Sequence, residues 1–365
     1  MNQIQTTFGG ALSKALEQVA NSGSINISVA DAYTRESFID SWSRTLSEHA
    51  KRLRQMGAAL QAPVFIVHVG STGEFAKLHS AWKRRQTLGA SHIDNFTGLL
   101  AVGTASIGGY THPNMLPDMN TFEAELHAND LQESPTIALV SETKLMIWPK
   151  GISAQENIFE KTLSDTKTAV NVAAIDNALA QFDELVARQN STWWKNRTLR
   201  ITVELPENTV QDDLWLYLTG TFSEVALIRK EEASGNGRRD LTVYPRMKNP
   251  QDQRAVLELK TLRDVRTPVG EVTAPPTKIS LQENIDWACS GVQQTAAYRD
   301  SEKLDAAFLC LYDFCAGNTT KVEEAAAPHA LQYNVILRRY WITASHKEYR
   351  EHFYPLTPPA HNGSN

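Results

Sequence analysis

Asp240, Glu258 and Lys260 have the types and the spacing to do chemistry together. Glu258 and Lys260 are two apart in Ala255-Val256-Leu257-Glu258-Leu259-Lys260-Thr261, an apolar run that reads as a strand. At that spacing both side chains leave the same face. Asp240 opens a second strand, Asp240-Leu241-Thr242-Val243-Tyr244, and a polar turn around Lys248-Asn249-Pro250-Gln251-Asp252 separates the two. A hairpin symmetric about Pro250 sets Asp240 across from Lys260 and diagonal to Glu258, within reach of both. A charge among Ala255, Val256, Leu257 and Leu259 costs free energy unless it is paired or bound to metal. Two carboxylates at this spacing suit a hard divalent cation, Mg²⁺ first, with Mn²⁺ as a substitute. Such an ion can activate water and stabilise charge developing on phosphorus, while Lys260 orients or deprotonates the attacking water. The plainer alternative is an Asp/Glu/Lys salt-bridge cluster on a solvated sheet face.

Downstream, the helical run Ile285–Tyr298 carries Gln294 and Tyr298 four apart, on one helical face. It leads through Lys303-Leu304-Asp305 into the apolar run Ala307-Phe308-Leu309-Cys310-Leu311-Tyr312. In this order the chain resembles the PD-(D/E)xK nuclease superfamily, and specifically its RecB-like branch. That family sets an Asp on one strand, a Glu/Asp-x-Lys on the next, a helix with Gln-x-x-x-Tyr, and then another core strand. Asp240, Glu258, Lys260, Gln294 and Tyr298 match that order, over roughly Lys167 to Phe314. Arg239 stands where the family's usual proline would precede the Asp. The resemblance implies that Asp240 and Glu258 ligate metal, that Lys260 serves the water, and that Gln294 and Tyr298 orient the site or the nucleic-acid backbone. It also implies an earlier helix whose acid helps hold the metal. Pro206–Leu216 is the nearest match, with Glu207 favoured over Asp212 and Asp213; Glu231 and Glu232, before the glycine turn, are further candidates. Acids in a first helical turn equally favour the helix dipole with no metal at all.

Charge is distributed in a way that fits a polyanionic substrate. The chain as a whole carries −5, but Arg229–Arg266 holds ten Lys/Arg against six Asp/Glu, a local +4. Arg238, Arg239, Arg246, Lys248 and Arg263 flank the acids and are the candidate phosphate contacts, giving sequence-independent, salt-dependent affinity. A basic run is also what an ordinary solvated face looks like.

The elements that must hold these residues belong to an α/β protein. Its 365 residues, 42% hydrophobic and 21% charged, exclude wholesale disorder and suit two domains. Residues 1–150 read as a mixed α/β accessory domain for recognition, sensing or oligomerisation. Its expected elements are helices over 1–20 and 35–60, a strand over 63–70, a helix over 73–86, a strand over 99–104, a loop over 105–120 and a hairpin of Thr136–Val140 with Lys144–Trp148. Residues 151–165 read as a linker. Residues 166–350 read as the nuclease domain, a restriction-endonuclease-like mixed sheet flanked by helices, and 351–365 as a tail. Within it the strands expected are Thr198–Leu205, Glu224–Lys230, Asp240–Tyr244, Ala255–Thr261, Ala307–Phe314 and Asn334–Thr343. Three cysteines form no disulfide framework or zinc pair, and neither a secretory signal nor a membrane-spanning run is present, so the expected location is cytoplasmic.

Other signals point less far. His68, His79, His92, His112 and His127 match no zinc spacing, and His68 in a strand reads as a core histidine. Gly70-Ser71-Thr72-Gly73 lacks the Gly-Lys-Ser/Thr end of a phosphate loop. Trp193-Trp194 could stack on bases, though such a pair more often packs in a core. The expectation is Mg²⁺-dependent hydrolysis of phosphodiester bonds, DNA favoured, resembling nucleases of restriction and anti-phage defence. The N-terminal domain could bind a partner protein or a second copy. One alternative is a non-catalytic nucleic-acid-binding or assembly protein on a nuclease scaffold. Another is a ligand-sensing regulator with nuclease output, its ligand near Gly70 and Thr104 if the first sheet is parallel.

Overall fold

A computed structural model describes residues 27–69, 82–85, 98–103, 109–113, 116–154, 157–164, 169–234, 237–246, 249–266, 277–317 and 319–354. The helix expected over 1–20, the Gly70–Gly73 turn, Lys248, and the tail beyond Tyr354 lie outside the described residues. The chain is mixed α/β, built on two large sheets. Among the described residues no helix is long and apolar enough to cross a membrane.

Helix α1 (Ile27–Met56) turns Phe38, Ile39, Leu46, Ala50 and Leu53 inward, the three- and four-residue rhythm visible in the sequence. It packs across strands of the first sheet, whose members are β1 (Val64–Val69), β2 (Lys83–Arg85), β3 (Gly98–Gly103), β4 (Gly109–Thr111), β5 (Thr136–Ser141), β6 (Lys144–Trp148) and β7 (Phe159–Thr162). Their order is β2-β4-β3-β1-β5-β6-β7. β1 is buried along its whole length, as its unbroken apolar run requires, and pairs parallel to β3 and antiparallel to β5. Helix α2 (Met119–Ala128) covers one face, where Phe122 stacks on Phe65 at 4.1 Å.

Four expectations change here. β2 occupies the end of the stretch read as a helix to Gln86. The 105–120 loop contains β4 and the start of α2, which Asp118 caps by accepting from the Thr121 N–H at 2.8 Å. The 151–165 stretch, read as a polar linker, carries β7, which adds to the sheet edge beside β6. The first sheet is mostly antiparallel, so the parallel-sheet premise for a ligand at Gly70 and Thr104 holds for the β1–β3 pair alone. His68 is a buried histidine with its ring 5.3 Å from that of Phe38, as a core residue should be.

The second half begins with α3 (Val172–Phe182), continued by one π-helical turn to Ala187, and a small ribbon of β8 (Trp194–Asn196) with β9 (Ile201–Thr202). The strand expected over Thr198–Leu205 shrinks to β9, because Arg200 takes a left-handed turn conformation, φ 52°. Helix α4 (Pro206–Phe222) starts with proline in its first turn and is buried on nearly every side. The second sheet follows, with strands β10 (Ala226–Ser234), β11 (Gly237–Pro245), β12 (Ala255–Leu262), β15 (Ala306–Asp313) and β16 (Ile336–Trp341) in the order β10-β11-β12-β15-β16. A short pair, β13 (Val265–Arg266) with β14 (Thr277–Lys278), precedes α5 (Leu281–Glu302). β10, β11 and β12 form an antiparallel meander; α5 and then α6 (Thr320–Gln332) make the crossovers to parallel β15 and β16. The stretch from 351, read as tail, begins inside α7 (His346–Phe353), which Ser345 caps.

Alternation along β12 and β15 decides what each face meets. Leu257, Leu259, Phe308, Cys310 and Tyr312 join the α4 side, in a core that also takes in Phe38, Leu139 and Ile147 of the first half. Val256, Leu262, Leu309 and Leu311 join Ala288, Val292, Val322 and Ala326 under α5 and α6. α4 therefore lies between the two sheets, with Gly220 so close to Phe159 that an added Cβ would sit 2.7 Å from its ring.

Candidate functional site

The site forms where two strands part. Ladder pairs between β11 and β12 run Val243↔Ala255, Thr242↔Val256 and Leu241↔Leu257, and stop there. β10–β11 pairing continues on to Ser234↔Gly237, and β12–β15 pairing to Leu262↔Asp313, so the sheet opens as a fork beyond Leu241 and Leu257. The register places Asp240 opposite Glu258, two residues from the expected partner Lys260. The ladder pairs centre the hairpin on Asn249 instead of Pro250. Within its turn the Asp252 N–H donates to the Asn249 carbonyl at 2.9 Å, and the Val170 N–H donates to the Asp252 side chain at 2.9 Å.

In the fork a side chain replaces a ladder bond. The Leu259 N–H donates to Asp240 Oδ2 at 2.7 Å, and Gln211 of α4 donates to the Asp240 carbonyl at 2.9 Å. One turn before Gln211, in the first turn of α4, stands Glu207. Its carboxylate lies 4.0 Å from Lys260 Nζ. Lys260 Nζ donates to Glu258 Oε1 at 2.7 Å. Asp240, Glu258, Lys260 and Glu207 thus converge at the mouth of the fork, all within electrostatic reach of Glu258.

The cluster is not a solvated face. Glu258 is 1% exposed, and its Oε2 has no hydrogen-bond partner. Burial, reinforced by the charge on Asp240, pushes the Glu258 carboxyl up to about 8 against the opposing pull of Lys260. Burial pulls Lys260 down, but Glu258, Glu207 and Asp240 outweigh it and hold the ammonium above its ordinary value. Burial raises Glu207 too, against Lys260. A buried carboxylate oxygen with no partner, facing a second carboxylate, is a site that a cation would stabilise. Among the described residues no group of three His, Cys, Asp or Glu side chains gathers as a full ligand set. Mg²⁺ commonly takes one or two carboxylates and fills the remaining positions with water and substrate phosphate, which the Asp240–Glu258 pair fits.

The other acids lie elsewhere. Asp212 pairs with Lys230, and Asp213 accepts from Trp193 Nε1 at 2.8 Å and pairs with Lys150. Both are engaged by these partners. Glu231 takes a left-handed backbone, φ 57°, at the point of β10 facing Asp240, with its carboxylate 3.9 Å from Lys230. Glu232 is placed in β10 opposite Arg239.

Helix α5 roofs the fork. An added Cβ on Gly291 would meet Lys260 Cγ at 3.2 Å, so the helix crosses directly over the lysine stem. Gln294 donates to the Tyr298 hydroxyl at 2.7 Å. Steps of seven and four residues put Trp287, Gln294 and Tyr298 on one flank of α5. The opposite flank meets α6, where Cys289 Sγ reaches the Ala325 carbonyl. The Tyr298 ring is buried in the core below the helix.

The basic residues divide. Arg239 is 4% exposed, its guanidinium 3.4 Å from the Tyr244 hydroxyl and 3.9 Å from Glu302. Arg246 donates to Asp40 at 2.5 Å and to the Ala226 carbonyl at 3.0 Å. Both are engaged within the fold, contrary to their expected role on phosphate. Arg238 lies in β11 opposite Ala233. Arg263 borders the cluster: it feels the charge of Glu207, and its backbone N–H donates to Asn284 of α5 at 3.2 Å. Trp193 and Trp194 are core residues. The sequence reading passed over Gln211 and Trp287; an i+4 step from Glu207 and an i−7 step from Gln294 would have found them. Comparison of the chain with protein-family models, with curated proteins and with solved structures gives no match.

Proposed function

We propose that this chain is a metal-dependent nuclease of the PD-(D/E)xK type, its second sheet a restriction-endonuclease-like core, hydrolysing phosphodiester bonds in DNA. The observation that carries the reading is the Glu258 carboxylate, buried with one free oxygen beside Asp240 and Lys260 where β11 parts from β12. Stability gives no reason to bury an acid there beside Asp240 and Lys260, since an apolar residue would serve at least as well. Asp240 and Glu258 would hold Mg²⁺, or Mn²⁺ in its place, with Glu207 at the rim. The bound ion would supply charge neutralisation at the phosphate and a more acidic water. Lys260, between Glu258 and Glu207, positions the attacking water and offsets negative charge building on the phosphoryl oxygens. Gln211 and the Leu259 N–H fix the Asp240 carboxylate and its strand. Gln294, held by the buried Tyr298 hydroxyl, is the member of that pair left to orient the incoming backbone. A cytoplasmic place, and a role in defence against foreign DNA with the N-terminal half contacting a partner or second copy, belong to this proposal.

The test is cleavage of DNA, supplied as supercoiled plasmid and as single strands, with Mg²⁺, Mn²⁺ or EDTA. Lys260 is largely buried with its stem under Gly291, so Lys260→Met, which keeps the stem, is the informative variant. Wild type should cut with either metal and stop with EDTA; Lys260→Met should lose about 10²-fold or more. Glu258→Gln should lose cleavage and regain part of it at high Mn²⁺. Cleavage at the wild-type rate by folded Lys260→Met would make the trio a structural ion cluster and overturn the reading.

A further inference from the structure

One exposed side chain stands out on the helix that roofs the fork. Trp287 is 37% exposed, while every other tryptophan among the described residues is buried or half-buried. It projects from α5 on the flank that carries Gln294 and Tyr298. It stands one helical turn, about 5.4 Å, before Gly291, which sits over Lys260. The guanidiniums of Arg263 and Arg266 each lie over it, 5.9 Å from its ring centroid, at the outer limit of cation–π contact. Arg263 is held in this place. Its backbone N–H and carbonyl both bond to the Asn284 side chain, at 3.2 and 3.0 Å. Its Nε is buried without a hydrogen-bond partner. Arg266 reaches Glu283 only at 3.9 Å, a loose contact that water and anions can displace.

A part-exposed indole beside two arginines is the pairing that grips an unpaired nucleotide: base on the ring, phosphate on the guanidiniums. Within a duplex the bases stack on one another and offer only their edges, so an intact double strand cannot use the ring. Trp287 and Gly291, which sits over Lys260, share one flank of α5 one turn apart. We infer that the substrate strand enters this site single-stranded, with the base next to the scissile phosphate stacked on Trp287 and the flanking phosphates held by Arg263 and Arg266. The inference rests on the nuclease reading and narrows it, from DNA in general to an unpaired strand or frayed end.

Binding in EDTA, where no cleavage occurs, tests it apart from catalysis. Fluorescence anisotropy would compare a labelled oligothymidylate with a blunt duplex of the same length, for wild type, Trp287→Ala and Trp287→Phe. The expected result is tighter binding of the single strand, a loss of about tenfold in Trp287→Ala, and most of the affinity kept in Trp287→Phe. Duplex binding should be the same in all three. Circular dichroism of each variant checks the fold, and a half-exposed side chain gives little reason for it to fail. Equal affinity for both substrates, or single-strand binding unmoved in Trp287→Ala, overturns the stacking inference and leaves the nuclease reading standing. Absence of any nucleic-acid binding by wild type, together with no cleavage of plasmid or single strand, would remove the nuclease reading itself.

Discussion

At the residue scale, Glu258 is the group whose environment has the largest consequences. Its carboxyl titrates near 8 in the fold against 4.5 for an ordinary glutamate, because burial and the neighbouring Asp240 disfavour its charge. Between those values the unfolded chain has lost the proton that the folded chain keeps, so the folded state binds more protons and stability falls as pH rises. The favourable contribution is complete below about 4.5 and gone once pH passes about 8. In EDTA, thermal melts of wild type should therefore fall behind those of Glu258→Gln as pH climbs from 6 to 9, with the gap closing toward acid. A gap independent of pH would mean Glu258 is not held neutral in the free protein. Adding Mg²⁺ at the alkaline end should raise the wild-type Tm and leave Glu258→Gln unmoved, since a ligand stabilises only the state that binds it. The alternation of Glu258 and Lys260 was legible in the sequence because strand side chains repeat every two residues. Their depth was not, because nothing in Leu-Glu-Leu-Lys says that α5 lies over them. Asp240 pairs two residues from the partner that symmetry about Pro250 predicts. The ladder from Val243↔Ala255 to Leu241↔Leu257 sets the register, and the position of a proline in a long turn does not.

At the scale of elements, α5 does the positioning, and its start is set by chemistry that can be removed. Ser280 accepts from the Glu283 N–H at 3.1 Å, and Glu283 returns a bond from the Ser280 N–H at 2.8 Å, a reciprocal capping box. Ser280→Ala should cost about 1 kcal/mol, read as a lower urea midpoint with an unchanged slope. The Ser-x-x-Glu pattern stands open in the sequence, yet the helical run is read only from Ile285, where apolar periodicity begins. β7 was hidden for the opposite reason. Phe-Glu-Lys-Thr has one buried side chain, since an edge strand needs only one partner and one covered face. The strands of the second sheet were plain where apolar residues run together, as in Ala255–Leu257 and Ala306–Tyr312. The fork was invisible, because parting of two strands is a property of tertiary packing, with Gln211 and Asp240 supplying the bonds that the ladder gives up.

For the molecule as a whole, the core that runs from Phe38 through α4 to Ile342 ties the two sheets together. We expect one cooperative unfolding transition, followed in parallel by far-ultraviolet and near-ultraviolet dichroism; two separated transitions would show that the sheets fold apart. Gly220→Ala should lower that single midpoint by an overpacking cost of about 1–3 kcal/mol, because the new methyl meets the Phe159 ring at 2.7 Å and Ile147 at 3.0 Å. The same helix has a consequence for how the chain is made. β7 ends at Thr162 and α4 at Phe222, so about 60 residues separate the last strand of the first sheet from the helix that covers it. At roughly 5–20 residues per second, a ribosome needs roughly 3–12 seconds to deliver that cover. During that interval Ile147 and Phe159 have no α4 to pack against, and the nascent sheet presents an apolar surface to the cell. A chaperone that binds exposed hydrophobic segments should meet this protein at that stage of synthesis and release it once Phe222 has emerged.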